Sequence, residues 1–255
     1  MPHILITGAS SGIGAALARR YAAPGTRLTL NARDPGRLER VAAECRRRGA
    51  EASIVPLDLR DRAAARAWIR TLDAAAPLDL AIANAGINGG HPAGEVESEE
   101  TGFETVDINL VGTLNVALPC VTAMTARGRG QIALVSSLAA YAPLADAPSY
   151  SGTKAALMAH GLALRAKLAP KGVRVNVVMP GYVKTPMGGA LKGWRPLEMS
   201  ADAAAACIVR GLERNREIVA FPGLLFHLAR AGLVAPEFLR RAGMRALRFQ
   251  MRPRR

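Results

Sequence analysis

Short apolar runs alternate with longer helical stretches along almost the whole of this chain, and that alternation admits very few architectures. The apolar runs occupy residues 4–7, 27–31, 51–56, 78–83, 130–136, 173–179 and 217–221. Helical patterning fills much of the space between them, at 36–48, 60–75, 99–125, 150–169 and 201–215. Runs of this length read as strands buried on both faces. Strands alternating with helices imply parallel pairing. The expectation is one α/β domain, a doubly wound, seven-stranded parallel sheet with helices on both faces and a ligand crevice at the carboxyl ends of the strands. A chain of 255 residues, half of them hydrophobic, is long enough for one such core. No repeat or linker divides it. Two segments stand apart, a Gly- and Pro-containing loop at 184–199 and a C-terminal piece at 222–255.

The first strand runs directly into Gly8-Ala9-Ser10-Ser11-Gly12-Ile13-Gly14, and helical periodicity follows. Strand, glycine-rich turn and helix form a phosphate-binding arrangement. Glycines let the backbone turn sharply and approach a pyrophosphate, and the helix start offers free N–H groups and a favourable dipole. The spacing is G-x-x-x-G-x-G, which differs from the G-x-G-x-x-G of many dinucleotide sites.

A second constellation lies at Tyr150 and Lys154, four apart in a helical stretch and so on one helix face. A phenol ordinarily titrates near 10, too high for easy proton exchange near neutrality. A neighbouring ammonium favours the phenolate, and a tuned phenol serves ketone–alcohol interconversion.

Thr7-Gly8-Ala9-Ser10-Ser11-Gly12-Ile13-Gly14, Asn84-Ala85-Gly86, a Ser-Tyr-Lys set and Pro180-Gly181 occur in that order. In this the chain resembles the short-chain dehydrogenase/reductase family in its single-domain form, from residue 1 to about residue 221. The resemblance implies a Rossmann-type domain over 1–221 that binds NAD(P), with 222–255 as a basic amphipathic extension. It also implies a small-molecule carbonyl or alcohol substrate, and a homodimer or homotetramer formed through the helices at 99–125 and 150–169. A non-catalytic nucleotide-binding scaffold on the same fold is the alternative, but it would require loss of the Ser-Tyr-Lys set, which is intact.

The resemblance places Gly8, Ser10, Ser11, Gly12, Ile13 and Gly14 on the cofactor phosphates. Asp58 and Leu59 fall at the adenine edge, although Asp58 also suits a helix cap. Asn84, Ala85 and Gly86 lie where the cofactor passes closely. Pro180, Gly181, Val183 and Thr185 resemble the segment that holds the nicotinamide carboxamide. After the second strand the chain reads Asn31-Ala32-Arg33-Asp34. Ala32 stands where an NAD site usually carries an acid, and the Arg33 guanidinium can pair with a 2′-phosphate. NADP(H) is therefore expected over NAD(H), with Asp34 free to neutralise Arg33 or to take a ribose hydroxyl itself.

Ser137 precedes Tyr150 by thirteen residues, the spacing of the family, and is chosen over Ser136. Its hydroxyl would bond the substrate oxygen. Tyr150 would act as proton donor. Lys154 would lower the Tyr pKa and bind the nicotinamide ribose. Asn109 would hold a water linking the lysine to solvent, and a buried helical Asn needs a partner that a local helix irregularity would supply.

Leu138, Tyr141, Leu144, Met187 and Trp194 are expected to line an apolar substrate pocket, closed by the 184–199 loop acting as a lid. Lys192 and Arg195 either meet an anionic group or point to water. The formal charge is +14, and eight arginines against one acid from Arg230 onward supply half of it. Interleaved with Leu224, Leu225, Phe226, Leu228, Phe238, Leu239, Met244, Leu247, Phe249 and Met251, that charge suits an amphipathic helix on an anionic membrane. It suits equally a helix packed on the body or on another subunit. Charge alone suggests nucleic acid, no binding module supports it, and no nucleic-acid partner is expected. Cys45, Cys120 and Cys207 lie far apart and read as small buried hydrophobes in a reducing compartment, and the four histidines have no metal-ligand spacing. With no signal segment and no window of about 18 uninterrupted apolar residues, the expected location is cytoplasmic, with peripheral membrane contact through the tail as the further option.

Overall fold

The computed structural model describes residues 1–89, 95–189, 191–238 and 250–251. The basic–apolar tail at 239–249 and 252–255 and the side chains of Leu191 and Lys192 lie outside that description.

The chain begins with β1 (His3–Thr7), α1 (Gly12–Tyr21), β2 (Arg27–Ala32), α2 (Pro35–Arg47), β3 (Glu51–Pro56), α3 (Arg62–Ala75) and β4 (Leu80–Ala83). It continues through α4 (Glu99–Val106), a π-helical turn at Asp107–Val111, α5 (Gly112–Ala126), β5 (Gly130–Val135), α6 (Pro148–Leu168) and β6 (Val173–Pro180). The 184–199 region, expected as loop, carries β7 (Val183–Lys184), α7 (Pro186–Gly189), β8 (Leu191–Lys192) and β9 (Met199–Ser200). Then follow α8 (Ala201–Glu213), β10 (Ile218–Phe221) and α9 (Gly223–Val234).

Seven strands pair in the order β10-β6-β5-β4-β1-β2-β3, all parallel. From β1 the chain winds outward to β3, then crosses to β4 on the other side of β1 and winds out to β10. The order reverses between β1 and β4, and a crevice opens there above the carboxyl ends. Neighbouring side chains of β1 point to opposite faces. Ile6 packs with Leu17, Leu30, Leu38 and Ile208 under α1, α2 and α8. Leu5 packs with Ile69, Val116, Ile132 and Leu134 under α3 and α5. The sheet is thus buried on both faces, which is why its strands read as continuous apolar runs. Cys45 and Cys120 sit in these two cores and Cys207 is half-buried, all as free thiols.

Local chemistry fixes the helix starts. Asp34 accepts from the Arg37 amide at 2.9 Å and Asp61 from the Ala64 amide at 2.9 Å, each an N-cap. The expected helix at 99–125 is interrupted by the π turn, and Asn109 lies in that turn. Among the described residues one stretch, Glu99–Ala126, is long and apolar enough to cross a membrane. Here it packs along α3 and α6.

Candidate active site

The crevice is a single cavity of about 1130 Å³ that runs from the glycine turn to α9. Gly8 has φ +65°, a left-handed backbone that glycine adopts without strain. A Cβ on Gly14 would stand 2.2 Å from the Gly8 carbonyl oxygen, so nothing larger than glycine lets α1 start so close to the turn. Asn84 locks the turn from β4. Its Nδ2 donates to the Thr7 carbonyl at 3.0 Å, while the Thr7 hydroxyl accepts from the amides of Asn84 and Ala85, each at 3.0 Å. The Ser11 side chain makes no capping bond. The N–H groups at the start of α1 are therefore left to a ligand, and they face the cavity with a favourable dipole. The turn fits the phosphates of a dinucleotide.

After β2 and β3 the cavity is lined by Ala32, Arg33, Asp58, Leu59 and Arg60. Asp34 is committed elsewhere. It caps α2 and its other oxygen lies 3.1 Å from Arg37 Nε, so it neither neutralises Arg33 nor faces a ribose. Asp58 caps no helix, since Asp61 does that. Arg60 instead grips Asp58 through Nη2 at 2.6 Å and through Nε, and holds its carboxyl below the usual range, with Arg33 adding to the effect. Arg60 had no signal in the sequence beyond its charge.

Ser137, Tyr150 and Lys154 converge on the middle of the cavity. Ser136 and Ser137 divide sharply. The Ser136 hydroxyl donates to the Lys154 carbonyl at 2.7 Å and ties β5 to α6. The Ser137 hydroxyl accepts from the Ala139 amide at 3.1 Å and stands beside the Tyr150 phenol. Burial pushes that phenol above its ordinary value, and Ser137 opposes the rise. Lys154 is 5% exposed. It donates to the Val135 carbonyl at 2.9 Å, and its Nζ lies 5.6 Å from the Tyr150 ring centroid. Burial lowers its pKa to about 8.

Asn109 is fully buried, and the π turn places its side chain against the backbone of Ile87. Oδ1 accepts from the Ile87 amide at 2.7 Å and Nδ2 donates to the Ile87 carbonyl at 2.8 Å. The expected irregularity is present, and with it the partner for the buried amide. A Cβ on Gly86 would meet Asn109 Oδ1 at 3.0 Å and Lys154 Nζ at 3.6 Å, so Asn109, Gly86 and the ammonium form one packed group.

All five expected substrate-pocket residues, Leu138, Tyr141, Leu144, Met187 and Trp194, line the cavity, as do Val183 and Thr185, with Thr185 against the glycine turn, 3.1 Å from where a Cβ on Gly12 would stand. Thr185 accepts from the Gly188 amide at 2.9 Å at the start of α7. Arg195 meets an anion of this chain, Glu198, at 2.7 Å and donates to the Gly188 carbonyl at 3.1 Å. Two contributors escaped sequence reasoning. One is α9, which forms a wall of the cavity. The other is Glu97, whose carboxylate accepts from the Ser149 amide at 3.1 Å and from the Ser149 hydroxyl. It caps the first turn of α6, where Ala147 offers no side-chain cap.

Residues 2–196 match the model of the short chain dehydrogenase family, and the chain belongs to that family. An uncharacterized oxidoreductase of Myxococcus xanthus is 36% identical over 248 residues, covering 96% of each chain. A 3-dehydrosphinganine reductase of Arabidopsis thaliana is 34% identical over 188 residues, covering 72% of this chain and 56% of that one. A short-chain dehydrogenase of Sphingobium yanoikuyae, solved in complex with NADPH, superposes with a TM-score of 0.80 at 28% identity over 97% of both chains. The protein is an oxidoreductase fold of that family, built to bind a nicotinamide cofactor.

Proposed function

We propose that this chain is an NADPH-preferring reductase of hydrophobic or amphiphilic ketones, reversible to alcohol oxidation. The observation that carries the proposal is the convergence of Ser137, Tyr150 and Lys154 on one cavity whose other end is a glycine turn against an uncapped helix start. When bound, the dinucleotide supplies the hydride. The residues of the chain do the rest. Ser137 donates a hydrogen bond to the carbonyl oxygen and orients it. Tyr150 gives that oxygen its proton. Lys154 holds the nicotinamide ribose and, one turn along α6, favours the phenolate left behind. Asn109 steadies the backbone at Ile87 through which water reaches the ammonium. Arg33, with Asp34 turned away, receives the 2′-phosphate and sets the preference for NADP(H). Val183 and Thr185 hold the carboxamide.

The test is loss of the NADPH absorbance band against a panel of ketones, with Tyr150→Phe beside the wild type. Turnover should fall by about 10²- to 10⁴-fold, the usual contribution of a positioned proton donor, while NADPH binding followed by fluorescence stays nearly constant. A Phe variant that keeps its turnover would refute the assignment.

A further inference from the structure

The cavity does not end at Tyr150. Away from the glycine turn it continues between the turn after β5 and one side of α9, where Leu225, Leu228, Ala229 and Gly232 form its wall. These positions recur at three- and four-residue spacing, so they share a helix face. Tyr141 packs edge-on against Phe226 at 5.9 Å between centroids, which fixes α9 to the segment that follows Ser137. The groove and the proton donor therefore belong to one frame.

Three properties of this extension define what it holds. It is apolar, with Leu138, Leu144, Leu225 and Leu228 beside the rings of Tyr141 and Trp194, and its two ionised lining groups, Arg195 and Glu198, are paired with each other. It is long, since the wall from Leu224 to Gly232 covers about 12 Å of helix rise, and Ala235 just past the end of α9 lines the cavity too. It is open along one side, with Leu224 63% and Leu228 59% exposed although both line the cavity. Ala229 and Gly232 keep its floor low, and a Cβ on Gly232 would meet nothing within 4 Å. A compact ketone would leave most of this surface in water. A flexible alkyl chain would cover it along its length.

We propose, building on the carbonyl reduction above, that the substrate is a lipid-like ketone whose carbonyl meets Tyr150 and whose long unbranched alkyl chain lies along α9. The source of affinity is burial of methylenes, at about fourfold in kcat/KM for each one covered.

The experiment uses the NADPH-saturated enzyme and a series of 2-alkanones from 2-butanone to 2-dodecanone. kcat/KM should climb about fourfold per methylene until the groove is filled and then level off. Gly232→Phe sets a ring in the groove where the backbone leaves open space, and the ratio of kcat/KM for 2-dodecanone to that for 2-butanone should drop at least tenfold. Leu228→Ser, at an exposed position, should lower the same ratio, and melting curves establish that both variants are folded. Reduction of short ketones with a flat length profile would overturn the proposal and leave the carbonyl reading intact, as it would if the leucines were covered instead by a bilayer or a partner. A series in which no ketone oxidises NADPH would overturn both.

Discussion

The Lys154 ammonium donates to the main-chain carbonyl of Val135 at 2.9 Å, at the last residue of β5, while the Tyr150 ring lies 5.6 Å from its nitrogen. In this geometry the lysine is anchored to the sheet, and burial weakens its hold on a proton. Tyr150 is pushed in the opposite sense by the same burial. Before cofactor binds, the pair is set by desolvation, and the electrostatic help that Lys154 gives the phenol is opposed by its own reluctance to stay charged.

That reluctance has a consequence for stability. Folded Lys154 titrates at about 8 against an ordinary 10.5, so the unfolded chain binds more protons between those values. The contribution of the group to stability rises with pH across that window, and is lost as pH falls through about 8. At pH 7 the buried charge costs about 3 kcal/mol. Lys154→Met should raise the Tm of the cofactor-free protein at pH 7 by roughly 6 °C, with a gap that shrinks toward pH 10. Melts at pH 7, 8.5 and 10 decide it. A variant that melts lower at pH 7 would mean that the bond to Val135 outweighs the desolvation.

Arg33 and Asp34 were a single ambiguity in the sequence, and the structure separates them by turning Asp34 into the cap of α2. Arg33→Ala should raise KM for NADPH by about ten- to a hundredfold, the worth of a charged hydrogen bond, and leave KM for NADH within about twofold. Initial rates with each cofactor give the answer. Equal losses for both would remove Arg33 from the 2′-phosphate.

Glu97 holds the amide of Ser149, one residue before Tyr150, from the segment that leads into α4. Glu97→Leu removes the cap and should cost about 1 kcal/mol of stability together with about tenfold in kcat, with KM for NADPH unchanged. Glu97→Gln keeps an acceptor oxygen and should recover most of kcat. If the Leu variant loses stability but keeps kcat across pH 6–10, Glu97 serves the fold and not the placement of Tyr150.

The sheet, its strands and the order of the site motifs were all legible in the amino-acid sequence, because each rests on local physics. A strand buried on both faces must be apolar throughout, a turn with Gly8 in the left-handed region needs glycine, and residues 150 and 154 share a helix face whatever surrounds them. The difference between Ser136 and Ser137 was legible only as spacing. Its cause, that Ser136 is spent on the Lys154 carbonyl, is a contact between two elements. The same holds for the commitment of Asp34 and Asp58, the docking of Asn109 on Ile87, the Glu97 cap and the wall formed by α9. Ser136, Asn109 and Glu97 find their partners 18, 22 and 52 positions away, whereas Asp34 and Asp58 choose among several neighbours of equal local merit. Local pattern fixes which face a residue occupies, whereas the packing of α6, α9 and the 184–199 segment on the finished sheet decides what that face meets.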